Sequence, residues 1–273
     1  MSISVIITTY NRPDALKQVL LGLAGQTRLP DEAIVADDGS GPATRQTIGA
    51  IASALPYRLV HVWQPDEGFR AAAIRNKAIA ASMGDHLVCL DGDCIPDRHF
   101  IADHLALAEP GSFFQGKRVL VERDLAATFT HEDVGRRRRL CKWALGGHLG
   151  NSWHLVRLPR FPAFYSRRLT GIRSCNMSFA RRDIEAVNGF NEQFEGWGRE
   201  DSELALRLFQ LGLKKKTHPF MAVCYHLWHR QWPRDHLAVN DDRLREAVAR
   251  GAFFCPKGLN THLGIVSTPL NDK

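Results

Sequence analysis

His86-Leu87-Val88-Cys89-Leu90-Asp91-Gly92-Asp93 is the stretch whose reading decides the fold. A short apolar run passes straight into two carboxylates separated by one glycine. Such a run suits a strand buried on both faces, as in a parallel sheet covered by helices. Paired carboxylates at the mouth of a sheet suit an oxygen-ligated divalent cation and the phosphates it bridges. Asp-Gly-Asp also occurs in ordinary turns, so its place after the strand carries the signal.

Upstream, the same alternation recurs. Residues 2–9 form an isoleucine- and valine-rich run ending in Thr8-Thr9-Tyr10-Asn11-Arg12-Pro13, and 14–25 reads as a helix. Ala33-Ile34-Val35-Ala36 is a second buried strand, ending in Asp37-Asp38-Gly39-Ser40. A helix over 42–54 and a third strand over 57–63 follow. The loop Pro65-Asp66-Glu67-Gly68-Phe69-Arg70 then leads into a strong helix over 71–80. The pattern predicts an α/β fold: a mainly parallel, Rossmann-like nucleotide-binding sheet flanked by helices, with right-handed crossovers. Ligands of such sheets bind beyond the carboxyl ends of the strands, where Thr8, Tyr10 and Asp38 fall. Arg70 and Arg75 could meet a diphosphate with bidentate geometry, although alone they would read as helix-surface charge.

Downstream, Gly196-Trp197-Gly198-Arg199-Glu200-Asp201-Ser202-Glu203 sets an indole between glycines and two adjacent carboxylates where a helix begins. The helix runs on to a stop at Gly212. An acidic pair at a helix start can be a cap, favoured by the dipole. The neighbouring Trp197 argues for more, because an aromatic beside a carboxylate suits a sugar ring's apolar face and its hydroxyls. Carbohydrate chemistry is therefore the first expectation.

The chain has 273 residues, 44% of them hydrophobic, enough for one large domain with a substantial core. No stretch approaches the roughly 20 apolar residues of a membrane span. The first residues lack the basic flank of a signal peptide and start directly with a strand, so a cytoplasmic protein is expected. Six scattered cysteines without C-x-x-C spacing read as reduced thiols. The net charge of +7 is concentrated locally. Arg136-Arg137-Arg138-Arg139 opens a basic segment that continues through Lys142, Arg157, Arg160, Arg167 and Arg168. Anionic lipid and a phosphorylated substrate both fit it, as does a solvated face. No helix-turn-helix, RNP-like or zinc-finger pattern is present, so nucleic acid is not the expected partner.

Taken together, Ser4-Val5-Ile6-Ile7-Thr8-Thr9-Tyr10-Asn11-Arg12, Asp37-Asp38-Gly39-Ser40, Arg75-Asn76-Lys77-Ala78 and Asp91-Gly92-Asp93 resemble a family-two inverting glycosyltransferase with the A-type nucleotide-sugar fold. The second half, from Asn176-Met177-Ser178-Phe179 through Gly189-Phe190-Asn191 to Glu200-Asp201, is similar to β-1,4-galactosyltransferases and chondroitin-polymerase-like enzymes. The motifs cover roughly residues 2–100 and 170–230, and their order and spacing together are specific. The resemblance implies one domain over 1–273: a nucleotide-sugar half over 1–110, a basic insert over 111–170, an acceptor and catalytic half over 171–235, and an extension over 236–273.

Carried over by position, the resemblance implies that Thr8, Tyr10 and Asp38 hold a uracil ring and that Arg70 and Arg75 approach ribose or phosphate. Asp91 would contact ribose or metal-bound water, and Asp93 would ligate Mn²⁺ or Mg²⁺, making this a DXD motif. A further ligand is expected from Val223-Cys224-Tyr225-His226-Leu227-Trp228-His229, where His226 aligns better and His229 is the alternative. Asp201 would be the general base, Glu200 would orient hydroxyls of acceptor or donor, and Trp197 would stack on the acceptor sugar. The implied reaction moves a hexose or N-acetylhexosamine from a UDP-sugar to a saccharide or lipid-linked saccharide with inversion, as in bacterial surface polysaccharide or lipopolysaccharide synthesis. The chain is short for a two-site polymerase, so a single sugar addition is expected. The basic insert would cover the acceptor site or rest peripherally on an anionic inner membrane face. The donor stays open among galactose, glucose and their N-acetylated forms. Two competing readings remain: a nucleotidyltransferase acting on sugar phosphates, which generally carries a glycine-rich phosphate loop that Thr8-Thr9-Tyr10-Asn11-Arg12 is not, and a non-catalytic, membrane-associated sugar-binding module.

Overall fold

Strand β1 (Ile3–Thr9) is the axis of the parallel half in the computed structural model, which describes residues 1–230, 233–264 and 269–271. It lies between β2 (Glu32–Asp37) and β4 (His86–Asp91), with β3 (Arg58–Trp63) outside β2, all parallel. Alternate β1 side chains serve two cores, which is why Ile3, Val5, Ile6 and Ile7 are all apolar. Ile3, Val5 and Ile7 pack with Leu16 and Leu20 of helix α1 (Pro13–Ala24) and Ile48 of α2 (Pro42–Ala52). Ile6 faces the other way, toward Ile74 and Ile79 of α3 (Ala71–Ala81). Pro13 and Pro42 open their helices at the first turn, where a missing N–H costs nothing.

Past β4 the chain enters a second, smaller sheet through β5 (Cys94–Pro96), then forms α4 (Phe100–Leu107), β6 (Ser112–Gln115) and β7 (Lys117–Val121). After these come α5 (Arg123–Ala126), α6 (Arg137–Leu145), β8 (Leu149–Gly150) and a 3-10 turn at Ser152–Leu155. Next are β9 (Phe164–Ser166), β10 (Asn176–Ala180), α7 (Arg181–Ala186), α8 (Glu200–Gln210) and β11 (Lys214–Thr217). The last elements are β12 (Val223–Leu227), α9 (Leu237–Arg250) and a 3-10 turn at Leu259–His262.

The eight-stranded sheet has the order β3-β2-β1-β4-β10-β6-β11-β9. It is parallel from β3 to β4 and mixed beyond, since β10 runs antiparallel to both β4 and β6 and β9 antiparallel to β11. The small sheet has the order β5-β12-β7-β8. Residues 111–170 supply β6 and β9 to the large sheet and β7 and β8 to the small one, so the basic segment is built into both. Two of its four consecutive arginines are paired: Arg136 with Glu132, and Arg139 with Asp133.

The β3 edge is met by residues 269–271. The Leu270 N–H donates to the Leu59 carbonyl, and the Leu59 N–H donates to the Asn271 side chain at 2.7 Å. The Asn271 amide in turn donates to the carbonyls of Ala52 and Tyr57. All six cysteines are free thiols. Among the described residues, no helix is long and apolar enough to cross a membrane.

Three register pairs prepare the site. Thr8 lies opposite Asp91 across β1–β4, and Thr9 lies opposite Asp37 across β1–β2. His226 lies opposite Cys94 across β12–β5, which brings it beside Asp93.

Candidate active site

The carboxyl ends of β1 and β4, the turn after β2 and the start of α8 open on one cleft of about 1080 Å³. Of the residues singled out as candidates, all but Arg70 line it.

At the nucleoside end, Asp38 is buried. The Gln64 side-chain amide donates to one carboxylate oxygen at 2.6 Å and the Arg70 backbone N–H to the other at 2.8 Å. Burial holds its carboxyl above the usual range despite these donors. The Tyr10 hydroxyl donates to Asp66 at 2.7 Å, which pushes the phenol up from its ordinary value. Arg70, expected to approach ribose or phosphate, is not among the residues lining the cleft. Its guanidinium is held by the Pro65 carbonyl and the Glu67 carboxylate, so its contribution to the cleft is the backbone donor that fixes Asp38.

Arg75, at 4% exposure, is the hub of the site. Its Nε donates to Thr8 Oγ1 at 3.0 Å, Nη1 to Glu200 at 3.2 Å and Nη2 to Asp91 at 3.4 Å. The guanidinium also rests over the Phe190 ring, 5.3 Å from its centroid. One buried cation thus ties β1, β4 and α8 together and offsets two carboxylates. Arg75, expected to approach ribose or phosphate, lines the cleft while making these internal pairs.

Asp93 gathers the groups able to hold a cation. His229 Nε2 stands 3.5 Å and His226 Nε2 3.8 Å from its carboxylate oxygens. One ligand atom from each of the three lies within 4.8 Å of the others. One carboxylate and two imidazoles form a mixed oxygen and nitrogen donor set that suits manganese, and burial keeps the His226 imidazole neutral by lowering its pKa to about 4. The residues therefore fit a divalent cation. Arg12 Nη1 donates to Asp93 at 2.6 Å and supplies positive charge at the same carboxylate. Asp91, expected at ribose, metal-bound water or the cation, pairs with Arg75 at 3.4 Å while feeling the charges of Asp93 and His226. Gly92 between the two aspartates allows a close approach to β1, since a Cβ there would sit 3.0 Å from the Thr9 side chain, which would have to give way slightly.

The acidic pair stands at the start of α8. The N-cap residue Arg199, at φ +79°, makes no side-chain capping bond to this helix. Glu200 is drawn to Arg75, and Asp201 accepts from the Ser202 hydroxyl at 3.2 Å. The approach is a left-handed turn with Gly196 at φ +73° and Gly198 at φ +104°. A Cβ on Gly196 would also lie 2.5 Å from His236. Asp201 has its pKa raised to about 7, first by burial and then by the adjacent Glu200 charge, with Arg75 opposing. Trp197 remains partly exposed in the cleft and packs against the Arg234 guanidinium, 5.0 Å from the ring.

Arg12 and Arg118 are among the lining residues that carried no sequence assignment. Arg12 lies within a quoted motif, and its place after β1 was the available signal. Arg118, on β7 with Cys175 Sγ at 3.9 Å, gave no local signal, since only the tertiary fold brings it to the cleft.

A sheet with this topology, a paired-carboxylate strand mouth and an acidic helix start in one cleft define the A-type nucleotide-sugar glycosyltransferase class. The chain matches the model of glycosyl transferase family 2 over residues 4–185, and belongs to that family. Residues 161–230 match a second model, described as the N-terminal domain of galactosyltransferase. The validoxylamine A glucosyltransferase of Streptomyces hygroscopicus subsp. limoneus is 30% identical over 269 residues, covering 89% of this chain and 56% of that protein. The chondroitin synthase of Escherichia coli is 27% identical, covering 77% of this chain and 32% of that one. The chain thus spans about half or less of the length of these relatives. In fold it is similar to S. aureus TarS 1-349 in complex with UDP-GlcNAc, with TM-score 0.64 and 16% identity over 96% of this chain and 69% of that one. It is also similar to the mannosyltransferase PcManGT of Pyrobaculum calidifontis in complex with GDP-Man and Mn²⁺, with TM-score 0.56 and 21% identity over 91% and 63% of the two chains.

Proposed function

We propose that the protein is an inverting glycosyltransferase that moves a hexose or N-acetylhexosamine from a UDP-sugar to a hydroxyl of a saccharide or lipid-linked saccharide. The observation that carries this reading is one cleft holding both a cation-capable trio, Asp93, His226 and His229, and an acidic pair whose Glu200 is held by the buried Arg75. The relatives that act on or bind nucleotide sugars support it.

Thr8, Tyr10 and Asp38 take the nucleoside, with Asp38 held in place by Gln64 and the Arg70 N–H. Asp93, His226 and His229 would hold a divalent cation, which would supply the positive charge that a departing diphosphate needs. Asp201 accepts the proton of the attacking acceptor hydroxyl, and a pKa near 7 suits a base working at neutral pH. Glu200 keeps Arg75 in place and offers its second oxygen to sugar hydroxyls. Trp197 presents a ring face to the acceptor. A single displacement at the anomeric carbon inverts it, so an α-linked donor gives a β-glycoside. The acceptor is placed in surface polysaccharide or lipopolysaccharide synthesis, at an anionic membrane face.

The test is UDP release from a panel of UDP-sugars, with and without Mn²⁺ and with saccharide acceptors added. Metal-dependent release that rises with acceptor is the expected result. No release from any nucleotide sugar under either condition would overturn the reading.

A further inference from the structure

Residues 134–182 carry twelve Lys and Arg and no Asp or Glu, so the remainder of the chain is net acidic. Within this segment the structure exposes apolar side chains away from the cleft. Trp153, Val156, Leu158, Phe161, Phe164 and Tyr165 are between 40% and 54% exposed. Three of these rings are linked through Phe220: Phe161 lies 4.9 Å from Phe220 and 6.1 Å from Phe164, and Trp153 lies 6.0 Å from Phe220. The ridge is also held firmly from behind. His218 bonds the Phe161 carbonyl, His154 bonds the Pro219 carbonyl, and Arg157 pairs with Asp103. Exposed Arg160 and Arg168 flank the rings in sequence.

We propose that this aromatic ridge is a docking surface for an anionic lipid bilayer, with the rings entering the interfacial layer and the arginines meeting lipid phosphates. It deepens the membrane association placed under the proposed function but does not depend on the transfer chemistry. A contiguous exposed apolar patch marks an interaction site rather than ordinary surface. Its composition selects the partner. Aromatic rings beside arginines match a lipid interface, where one layer accepts apolar bodies and the next carries negative charge. A nucleic acid would satisfy the arginines but leave Val156, Leu158 and Phe161 against phosphate and water. The chain leaves the ridge directly into Leu169–Cys175, which lines the cleft. A protein seated this way would hold the acceptor side of its cleft near the headgroups.

The experiment is co-sedimentation of the full chain with vesicles of phosphatidylcholine alone or mixed with phosphatidylglycerol, at low and high salt. Binding to the anionic vesicles is expected, weakened by salt. The Phe161→Ser/Phe164→Ser variant should lower partitioning by about tenfold or more at either salt level. Arg160→Ser/Arg168→Ser should lower it mainly at low salt. Because a variant can lose its fold, the parent is also read directly: brominated lipid should quench its tryptophan fluorescence, and Trp153→Phe should remove a distinct part of that quenching. Failure of the parent to bind anionic vesicles would overturn the proposal. So would full binding by the Phe161→Ser/Phe164→Ser variant, or loss of vesicle binding to a soluble RNA competitor with no quenching by brominated lipid. UDP release with a water-soluble acceptor is measured in parallel. If release persists while vesicle binding fails, the docking surface is wrong and the transferase reading stands.

Discussion

Replacing Glu200 by Gln keeps the shape of the α8 start and removes one charge beside Asp201. Burial is the larger cause of the raised Asp201 pKa and the Glu200 charge is the next. Neighbouring like charges of this kind repel by roughly 3 kcal/mol at an effective dielectric of about 20. That corresponds to about 2 pH units, at about 1.4 kcal/mol each. Burial persists in the variant, so the expected shift is about one to two units downward. The parent should show an acid limb in kcat/KM centred near pH 7, since at pH 6 about a tenth of the molecules carry an ionised base. In Glu200→Gln the limb moves down, and the variant becomes relatively more active at pH 6 than at pH 8. Asp201→Asn should lose about 10²- to 10⁴-fold in turnover and show no such limb. The same shift has a stability sign. The unfolded carboxyl ionises near 3.8 and the folded one near 7, so this residue's contribution is present at low pH and lost as pH rises through that window. Initial rates from pH 5 to 9, with donor and acceptor varied separately, are the assay. A limb at the same pH in parent and Glu200→Gln would refute the coupling. An Asp201→Asn enzyme keeping more than about a tenth of parental turnover would remove Asp201 as the base.

Asp93→Ala should abolish cation-dependent UDP binding in calorimetry with the fold intact, and unchanged affinity would take Asp93 out of the cation site. His226→Ala and His229→Ala should each weaken Mn²⁺ more than Mg²⁺, because imidazole suits manganese; equal losses for both ions would count against nitrogen ligation. Glu203→Ala should lower unfolding stability by about 3–5 kcal/mol. It leaves Arg207, buried at 2% exposure and paired with Glu203 at 2.7 Å, without its counter-charge. A shift in urea unfolding free energy below about 1 kcal/mol would show that the Val187 carbonyl, Arg207's other partner, suffices.

Much of the first half was legible because its strands are buried on two faces and its helices open at prolines. The runs ending in Thr9, Asp37 and Asp91 therefore announced both the sheet and its ligand-binding end. The small sheet was not legible. Cys94–Pro96 is three residues long and has no period to read, yet its pairing with β12 carries His226 to Asp93. Arg75 shows the same limit in another form. As a helix residue it reads as surface charge, while its partner Glu200 is 125 residues away and only the fold buries both. By sequence alone Asp91 and Asp93 are two carboxylates on one turn, told apart only through the family resemblance. The geometry separates them, giving one to Arg75 and the other to two histidines.

The short stretch against β3 bears on solubility. An edge strand with free N–H and C=O groups is a template for another chain. Here Pro269 bridges Val60, Leu270 pairs with Leu59, and the Asn271 side chain imitates a peptide group by accepting from one strand N–H while donating to two carbonyls. A proline in this stretch has no N–H of its own to offer, so it occupies the edge without creating a full new one. Asn271→Ala would unfasten that stopper while leaving the cleft alone. The expected consequence is sheet-to-sheet self-association on mild warming, read as light scattering that rises with protein concentration; a variant as clear as the parent would show that β3 protects its own edge.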